Sequence, residues 1–256
     1  METTTNTFSR AELLLGRKGL ERIASKRVLL LGVGGVGSWC AEGLVRSGFR
    51  HLTMVDADQV NPSNINRQLM ATTETVGQPK VEVLRQRLLT INPDAHIIAI
   101  KKLFTEETAT DFMLDDYDYI IDAIDSLKDK AALILLACQT KATLFSSMGA
   151  ALKLNPARIK TAEFWKVEGD PLARSLRKRF KAMQRFPEKK FFCVYSDELL
   201  QNKLLDDGDI PLFEEQSDAP PKAHINGSLV HITAIFGFTL VSLVLQDAIT
   251  PPPALK

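Results

Sequence analysis

Four short groups of residues carry the chemistry needed to handle a charged, phosphate-bearing ligand. Leu29 to Gly37 (LLLGVGGVG) sets a glycine-rich turn between an apolar strand and a helix, where backbone N–H groups and a helix N-terminus can hold an anion. Gly32, Gly34, Gly35 and Gly37 are the candidate ligand-cradling positions. Asp56 follows about twenty residues on, at the end of the next apolar run, where a carboxylate can accept hydrogen bonds from ribose hydroxyls. These two features alone equally suit a nicotinamide or flavin dinucleotide, or a tight strand–helix junction with no ligand.

The next groups separate those readings. Asp56 to Gln68 (DADQVNPSNINRQ) concentrates polar and charged side chains where a dehydrogenase would need only the ribose acid, and Gly77-Gln78-Pro79-Lys80 then opens a helix. Arg67 and Lys80 are suited to bracket a triphosphate and to neutralise charge that builds up during displacement. Taken singly, each also reads as a surface arginine or a first-turn lysine. Asp122-Ala123-Ile124-Asp125-Ser126 lies after a fourth apolar run, where a parallel strand opens onto its ligand crevice, so Asp125 is placed to hold Mg²⁺ against phosphate oxygens. The competing role for Asp125 is the N-cap of the following helix, and Asp122 reads as structural.

The elements that position these groups follow from hydropathy. Short apolar runs at Arg27–Leu31, His51–Val55, Ala95–Ile100, Tyr119–Ala123 and Leu144–Met148 read as strands. Between them, Val36–Ser47, Lys80–Ile91, Thr105–Leu114 and Leu127–Lys141 read as helices. The alternation predicts an α/β fold with a doubly wound, mainly parallel sheet, Rossmann-like, followed by a smaller C-terminal α+β extension. With 256 residues and 45% hydrophobic content, a single domain over 1–256 is expected, with residues 1–150 as the nucleotide-binding core and 151–256 as the extension.

Composition narrows the class further. Cys40, Cys138 and Cys193 are widely spaced, so the chain encodes no four-cysteine zinc site and no disulfide framework. Cys193, in the apolar run Phe191–Tyr195, reads as core. Met1 to Arg10 is polar and lacks the apolar stretch of a secretory leader, which fits a reducing, cytoplasmic location. Leu229–Leu245 approaches the length of a membrane span, but it contains His231, Thr233, Thr239 and Ser242 and reads as a buried helix, so no membrane span is expected. His224 and His231 read as structural histidines.

The formal net charge of +1 conceals a local concentration. Arg174 to Lys190 holds eight Lys or Arg residues against one Glu, while an acidic linker lies around Asp206–Asp209. Arg174, Lys178, Lys181 and Arg185 recur at helical spacing, with Arg177 and Arg179 between them and Leu176, Phe180 and Met183 on an apolar side. The pattern predicts a basic amphipathic helix ending near Pro187 that can track a nucleic-acid backbone. A membrane surface or a plain solvated face fits the same pattern.

Taken together and in order, GVGGVGS, DADxVxxSNxNRQ, GQPK and DAIDS resemble the ubiquitin-activating-like superfamily, which includes sulfur-carrier adenylyltransferases. The likeness covers about Phe8 to Gly149. It implies ATP and Mg²⁺ as cofactors, ribose binding by Asp56 beside Asp58, triphosphate contacts by Asn64, Arg67, Gln68 and Lys80, and magnesium binding by Asp125. The start FSRAELLLG resembles the family's N-terminal helix, which implies a homodimer in which Arg10 reaches the ATP site of the other subunit. Locally, Arg10 also reads as a solvated first-turn residue.

Within that superfamily, FSRxELLLG, GVGGVGSWxAExLxRSG and DAIDS are similar to the tRNA threonylcarbamoyladenosine dehydratase branch. The likeness implies that ATP activates a threonine carboxylate on tRNA, after which a ring closes with loss of water. On that implication the tRNA partner meets the basic segment: Arg174, Arg177, Lys178, Arg179, Lys181 and Arg185. Activation of the C-terminus of a small ubiquitin-like or sulfur-carrier protein is the alternative. The missing CxxC pairs weigh against it, and Ala223–Ser228 offers no cysteine for sulfur transfer. A nucleotide-binding scaffold without catalysis is the third expectation.

Overall fold

The computed structural model describes residues 7–203 and 226–250; the acidic linker around Asp206–Asp209 and His224 lie outside them. Seven strands form one sheet in the order β3-β2-β1-β4-β5-β7-β6. They are β1 (Arg27–Leu31), β2 (His51–Val55), β3 (His96–Ile100), β4 (Tyr119–Asp122), β5 (Thr143–Ser147), β6 (Ile159–Glu163) and β7 (Phe192–Ser196). Every pairing is parallel except β6 with β7. The C-terminal strands are therefore hydrogen-bonded into the same sheet as the core.

After the exposed Arg27, strand β1 (Arg-Val-Leu-Leu-Leu) is apolar because both of its faces are covered. Val28 and Leu30 enter one core, and Leu29 and Leu31 enter the other. The first core holds α2 (Gly37–Arg46) and α3 (Lys80–Ile91), together with the last helix Val230–Ile249. The second holds α4 (Leu127–Ala137) and α5 (Pro171–Met183). Helix α1 (Ser9–Ser25), broken at Gly16 by a positive φ of 71°, adds Ile23 to the first layer.

The last helix, α6 (Val230–Ile249), is long and apolar enough to cross a membrane by length and composition. In the fold it lies against α2, and the approach is close. A Cβ on Gly237 would lie 2.7 Å from the Val36 carbonyl oxygen, and one on Gly43 would lie 2.8 Å from Val241. Its own Ile232, Phe236, Leu240 and Val244 are fully buried against the core. The Tyr119 hydroxyl donates to Asp247 at 2.7 Å and ties the end of this helix to β4.

Two expectations need correction. Thr105–Leu114 is not an α-helix; it forms short 3₁₀ turns at Ala109–Phe112 and Leu114–Asp116. The Thr108 hydroxyl donates to the Leu103 carbonyl and accepts the Thr105 N–H, a local alternative to helical pairing, and Met113 has a positive φ of 42°. The basic helix α5 ends at Met183, where Gln184 adopts a left-handed cap, and Phe192–Ser196 forms a strand that the apolar run did not identify as one.

Candidate functional site

The strand order reverses at β1, whose neighbours are β2 and β4, and ligand crevices open at the carboxyl ends of strands at such a point. Three of the sequence groups meet there: the glycine turn after β1, Asp56 to Gln68 after β2, and Asp122 to Ser126 after β4. Gly32 has a φ of 87°, and a Cβ on it would lie 2.6 Å from the Ala123 carbonyl oxygen. At Gly37 a Cβ would lie 1.9 Å from the Gly32 carbonyl oxygen, so the turn closes on itself with no space for a side chain.

Asp56 braces this turn. Its carboxylate accepts the Val33 N–H at 2.8 Å and the Asp58 N–H at 2.9 Å. Burial pushes the Asp56 carboxyl up, partly offset by the positive charge of Lys80. The residue expected to meet a ribose thus also fixes the backbone that would meet phosphate.

Over the glycines sit Arg67 and Gln68. A Cβ on Gly34 would lie 3.8 Å from Gln68 Nε2, and one on Gly35 would lie 3.4 Å from Arg67 Cγ. Arg67 Nη1 donates to the Ser63 carbonyl at 2.8 Å and to Asn66 Oδ1 at 2.9 Å, while Trp39 Nε1 donates to the Arg67 carbonyl at 3.1 Å. Gln68 is buried, and its Oε1, like the Ser63 hydroxyl, has no hydrogen-bond partner. Unsatisfied buried polar atoms beside a glycine cradle fit a site made for a polar ligand.

Asn64 has a structural role through its side-chain oxygen. It is buried, and its Oδ1 accepts the Asn61 N–H at 3.0 Å while Asn61 Oδ1 accepts the Ser63 N–H at 3.0 Å. This reciprocal capping stabilises the turn Pro62–Asn64 that carries Arg67.

Lys80 opens α3, with its side chain only 7% exposed and its Nζ 2.7 Å from Asp58 Oδ2. The backbone around it is pinned, because Lys80 N donates to the Asp58 carbonyl and Val60 N to the Gln78 carbonyl. The cation is thus held beside the loop by a carboxylate that is itself 45% exposed, a partner from which a phosphate can draw it.

Asp125 is exposed in the loop between β4 and α4. It does not cap α4: Ser126 is the N-cap, and its hydroxyl accepts the Asp129 N–H. Below the loop, Asp122 is fully buried as the sequence suggested, but its partner was not foreseen. Lys130 Nζ lies 2.8 Å from Asp122 Oδ2 with both side chains 0% exposed. The Ser146 hydroxyl donates to the same oxygen at 2.6 Å, Ile124 N–H donates to Oδ1, and Lys130 donates to the Ile124 carbonyl.

Arg10 is not part of this cluster. It is exposed near the start of α1, and Phe8, two residues before it, lies beside Gly48 beyond the far end of α2, towards the amino edge of the sheet. The three thiols are buried, and burial pushes Cys138 up to about 11 and Cys193 well above the usual thiol range. His231 lies against the Leu154 carbonyl at 3.0 Å.

The basic segment divides in two. Arg174, Lys178 and Lys181 are exposed along one stripe of α5. Arg177 instead donates to the Trp165 and Val167 carbonyls at 3.1 and 2.7 Å and lies over the Phe164 ring, a structural clamp. Arg179 is partly buried, and Arg185 pairs with Glu106 at 2.7 Å.

Comparison with known proteins places this arrangement. The model of the ThiF family matches residues 8–248. The chain is 42% identical over 191 residues to a tRNA threonylcarbamoyladenosine dehydratase of Bacillus subtilis, covering 75% of this chain and 74% of the relative. It is 34% identical over 247 residues to the protein of that name in Escherichia coli, covering 93% and 92%. The crystal structure of the Escherichia coli tRNA N6-threonylcarbamoyladenosine dehydratase in complex with ATP superposes with a TM-score of 0.80 at 32% identity, over 94% of this chain and 93% of that one.

Proposed function

The chain belongs to the ThiF family, and from that premise we propose that it is an ATP-dependent tRNA threonylcarbamoyladenosine dehydratase. The observation that carries this reading is the convergence of the glycine cradle, Arg67, Lys80 and Asp125 on one crevice, in a chain similar over nine-tenths of its length to a dehydratase bound to ATP.

A carboxylate is a poor electrophile, and its mixed anhydride with AMP is a good one. One oxygen of the threonine carboxylate attacks the α-phosphate of ATP and pyrophosphate leaves. The carbamoyl nitrogen of the same substrate then attacks the activated carbonyl carbon and loses a proton. The C–O bond to AMP breaks, so the nucleoside has lost the elements of one water. Both reacting groups belong to one molecule, and positioning replaces a covalent nucleophile. That fits three buried thiols. The glycine-turn N–H groups hold phosphate, and Arg67 and Lys80 stabilise the charge that grows on the departing pyrophosphate. Asp125, exposed in the loop at the carboxyl end of β4, suits Mg²⁺, which is held by one or two carboxylates together with substrate phosphates and would supply further charge neutralisation.

The test is incubation of the protein with ATP, Mg²⁺ and tRNA carrying threonylcarbamoyladenosine, followed by mass analysis of the nucleosides. The expected result is loss of one water from the modified nucleoside, with AMP released. Intact nucleoside without ATP consumption would sink the reading and redirect the search to a protein C-terminus.

The partners follow from the same reading. The exposed stripe Arg174, Lys178 and Lys181 binds the tRNA backbone, and the enzyme works in the cytoplasm. It acts as a homodimer with Arg10 entering the partner's ATP site. Support for this comes from the position of Arg10 at the opposite edge from its own glycine turn, and from Leu13 and Leu14, which are 87% and 84% exposed on the same helix. Mixing an Arg10→Ala chain with a Lys80→Ala chain is expected to restore activity that neither has alone, since one of the two mixed sites is intact. Absence of complementation in a mixture shown to exchange subunits would count against action across the interface.

A further inference from the structure

At the end of α5 remote from the glycine turn, two aromatic rings face solvent. Trp165 is 41% exposed and Phe186 is 49% exposed, with ring centroids 6.3 Å apart and tilted by 43°. Their neighbour Phe164 is fully buried and stacks on Phe191 at 5.0 Å, so the sequence here turns one ring inward and the next outward. Trp165 packs on Phe164 edge to face at 5.1 Å.

The backbone under Trp165 is fixed. Residues Phe164–Lys166 form a 3₁₀ turn capped by Glu163, and the Arg177 guanidinium holds both the Trp165 and the Val167 carbonyls. An indole held this way loses little freedom when a ligand covers it. Leading to the pair is the cationic stripe of α5, with Arg174, Lys178 and Lys181 exposed, and Lys166 is exposed beside the indole. Basic groups that track a backbone, joined to solvent-facing rings, are the two parts of a surface that takes single-stranded nucleic acid.

We infer that Trp165 and Phe186 form a stacking platform for an unpaired base of the tRNA, distinct from the nucleotide that reacts. Glu163, at the end of β6 that carries Trp165, pairs with Phe192 at the start of β7, which is the amino edge of the sheet. The glycine turn lies at the carboxyl edge, and α5, 13 residues long, spans about 20 Å between the two. The platform therefore binds RNA at a distance from the chemistry and sets which part of the tRNA approaches the site. The inference rests on the tRNA reading above.

The experiment follows tryptophan emission and affinity. In the wild-type protein, a single-stranded oligoribonucleotide and tRNA quench the emission, whereas the same oligonucleotide annealed into a duplex does not. Trp165→Leu abolishes that quenching and weakens single-strand binding about five- to a hundredfold, in line with stacking of one base. Phe186→Leu, measured in parallel, weakens binding while leaving the indole in place. The melting temperature of each variant confirms folding. Equal quenching by duplex and single strand, or salt-sensitive tRNA binding unchanged in both variants, would overturn the platform and leave the tRNA reading standing. Absence of any salt-sensitive RNA binding by the wild-type protein would remove both.

Discussion

Lys80→Ala and Arg67→Ala each lower kcat by about 10²- to 10³-fold, the cost of losing one preorganised donor at a site of developing charge, and change the Kd for tRNA by less than about twofold. The geometry separates the two quantities. Lys80 and Arg67 stand at the carboxyl edge beside the glycine turn, whereas the exposed cations of α5 are carried on another helix. Lys80→Ala leaves Asp58, which is 45% exposed and can be solvated, and takes a nearby positive charge from the buried Asp56, so the melting temperature of each variant is measured beside its rate. The converse pair, Lys178→Glu with Lys181→Glu, raises the Kd for tRNA and flattens its dependence on salt, with kcat at saturating tRNA preserved. Single-turnover rates beside filter-binding affinities check both. Equal effects of the two sets on both quantities would show that phosphate of ATP and phosphate of tRNA are not handled by separate groups.

Charge reversal at Arg177 is not equivalent to reversal at Lys178, and the sequence alone does not show why. The sequence places both in the basic segment expected to meet tRNA. Only the position of the Phe164–Lys166 turn makes Arg177 the donor to two backbone carbonyls, and that contact joins residues on different elements. The same limit applies to Asn64, whose place in the motif does not show that its side-chain oxygen accepts the Asn61 N–H and braces the turn carrying Arg67. Features set by local pattern were legible. The apolar runs of β1 and β2 and the span Lys80–Ile91 agree with the observed elements residue for residue, since periodicity and turn residues act within a few positions. Strand β7 was not legible, because a short apolar run becomes a strand only when β5 and β6 offer their edges to it. Ser126 could have been found: an Asp-Ser pair before a helix offers two possible caps, and the one three residues before Asp129 is the one used.

The most consequential residue that spacing did not reveal is Lys130. A lysine in the middle of Leu127–Ala137 reads as a solvated helix position, yet its side chain is fully buried against Asp122. Lys130→Met leaves that carboxylate buried without its cation, which costs about 3–5 kcal/mol, and for a chain of this size lowers Tm by roughly 6–20 °C. Adding Asp122→Asn recovers much of the loss. The amide keeps its one acceptor oxygen for the Ile124 N–H and turns its NH₂ towards the Ser146 hydroxyl oxygen, which can accept from it, while removing the uncompensated charge. The two changes are therefore strongly non-additive, which a double-mutant cycle by chemical denaturation measures directly. Additive losses would mean that the pair is not a unit. Catalysis does not follow stability in this series. Lys130 also donates to the Ile124 carbonyl, and that peptide immediately precedes Asp125. The doubly substituted protein thus regains its fold without the contact that fixes the loop, and is expected to require more Mg²⁺ for half-maximal turnover than the wild type. Recovery of stability together with an unchanged Mg²⁺ requirement would show that the buried pair holds the sheet and helix together but does not place Asp125.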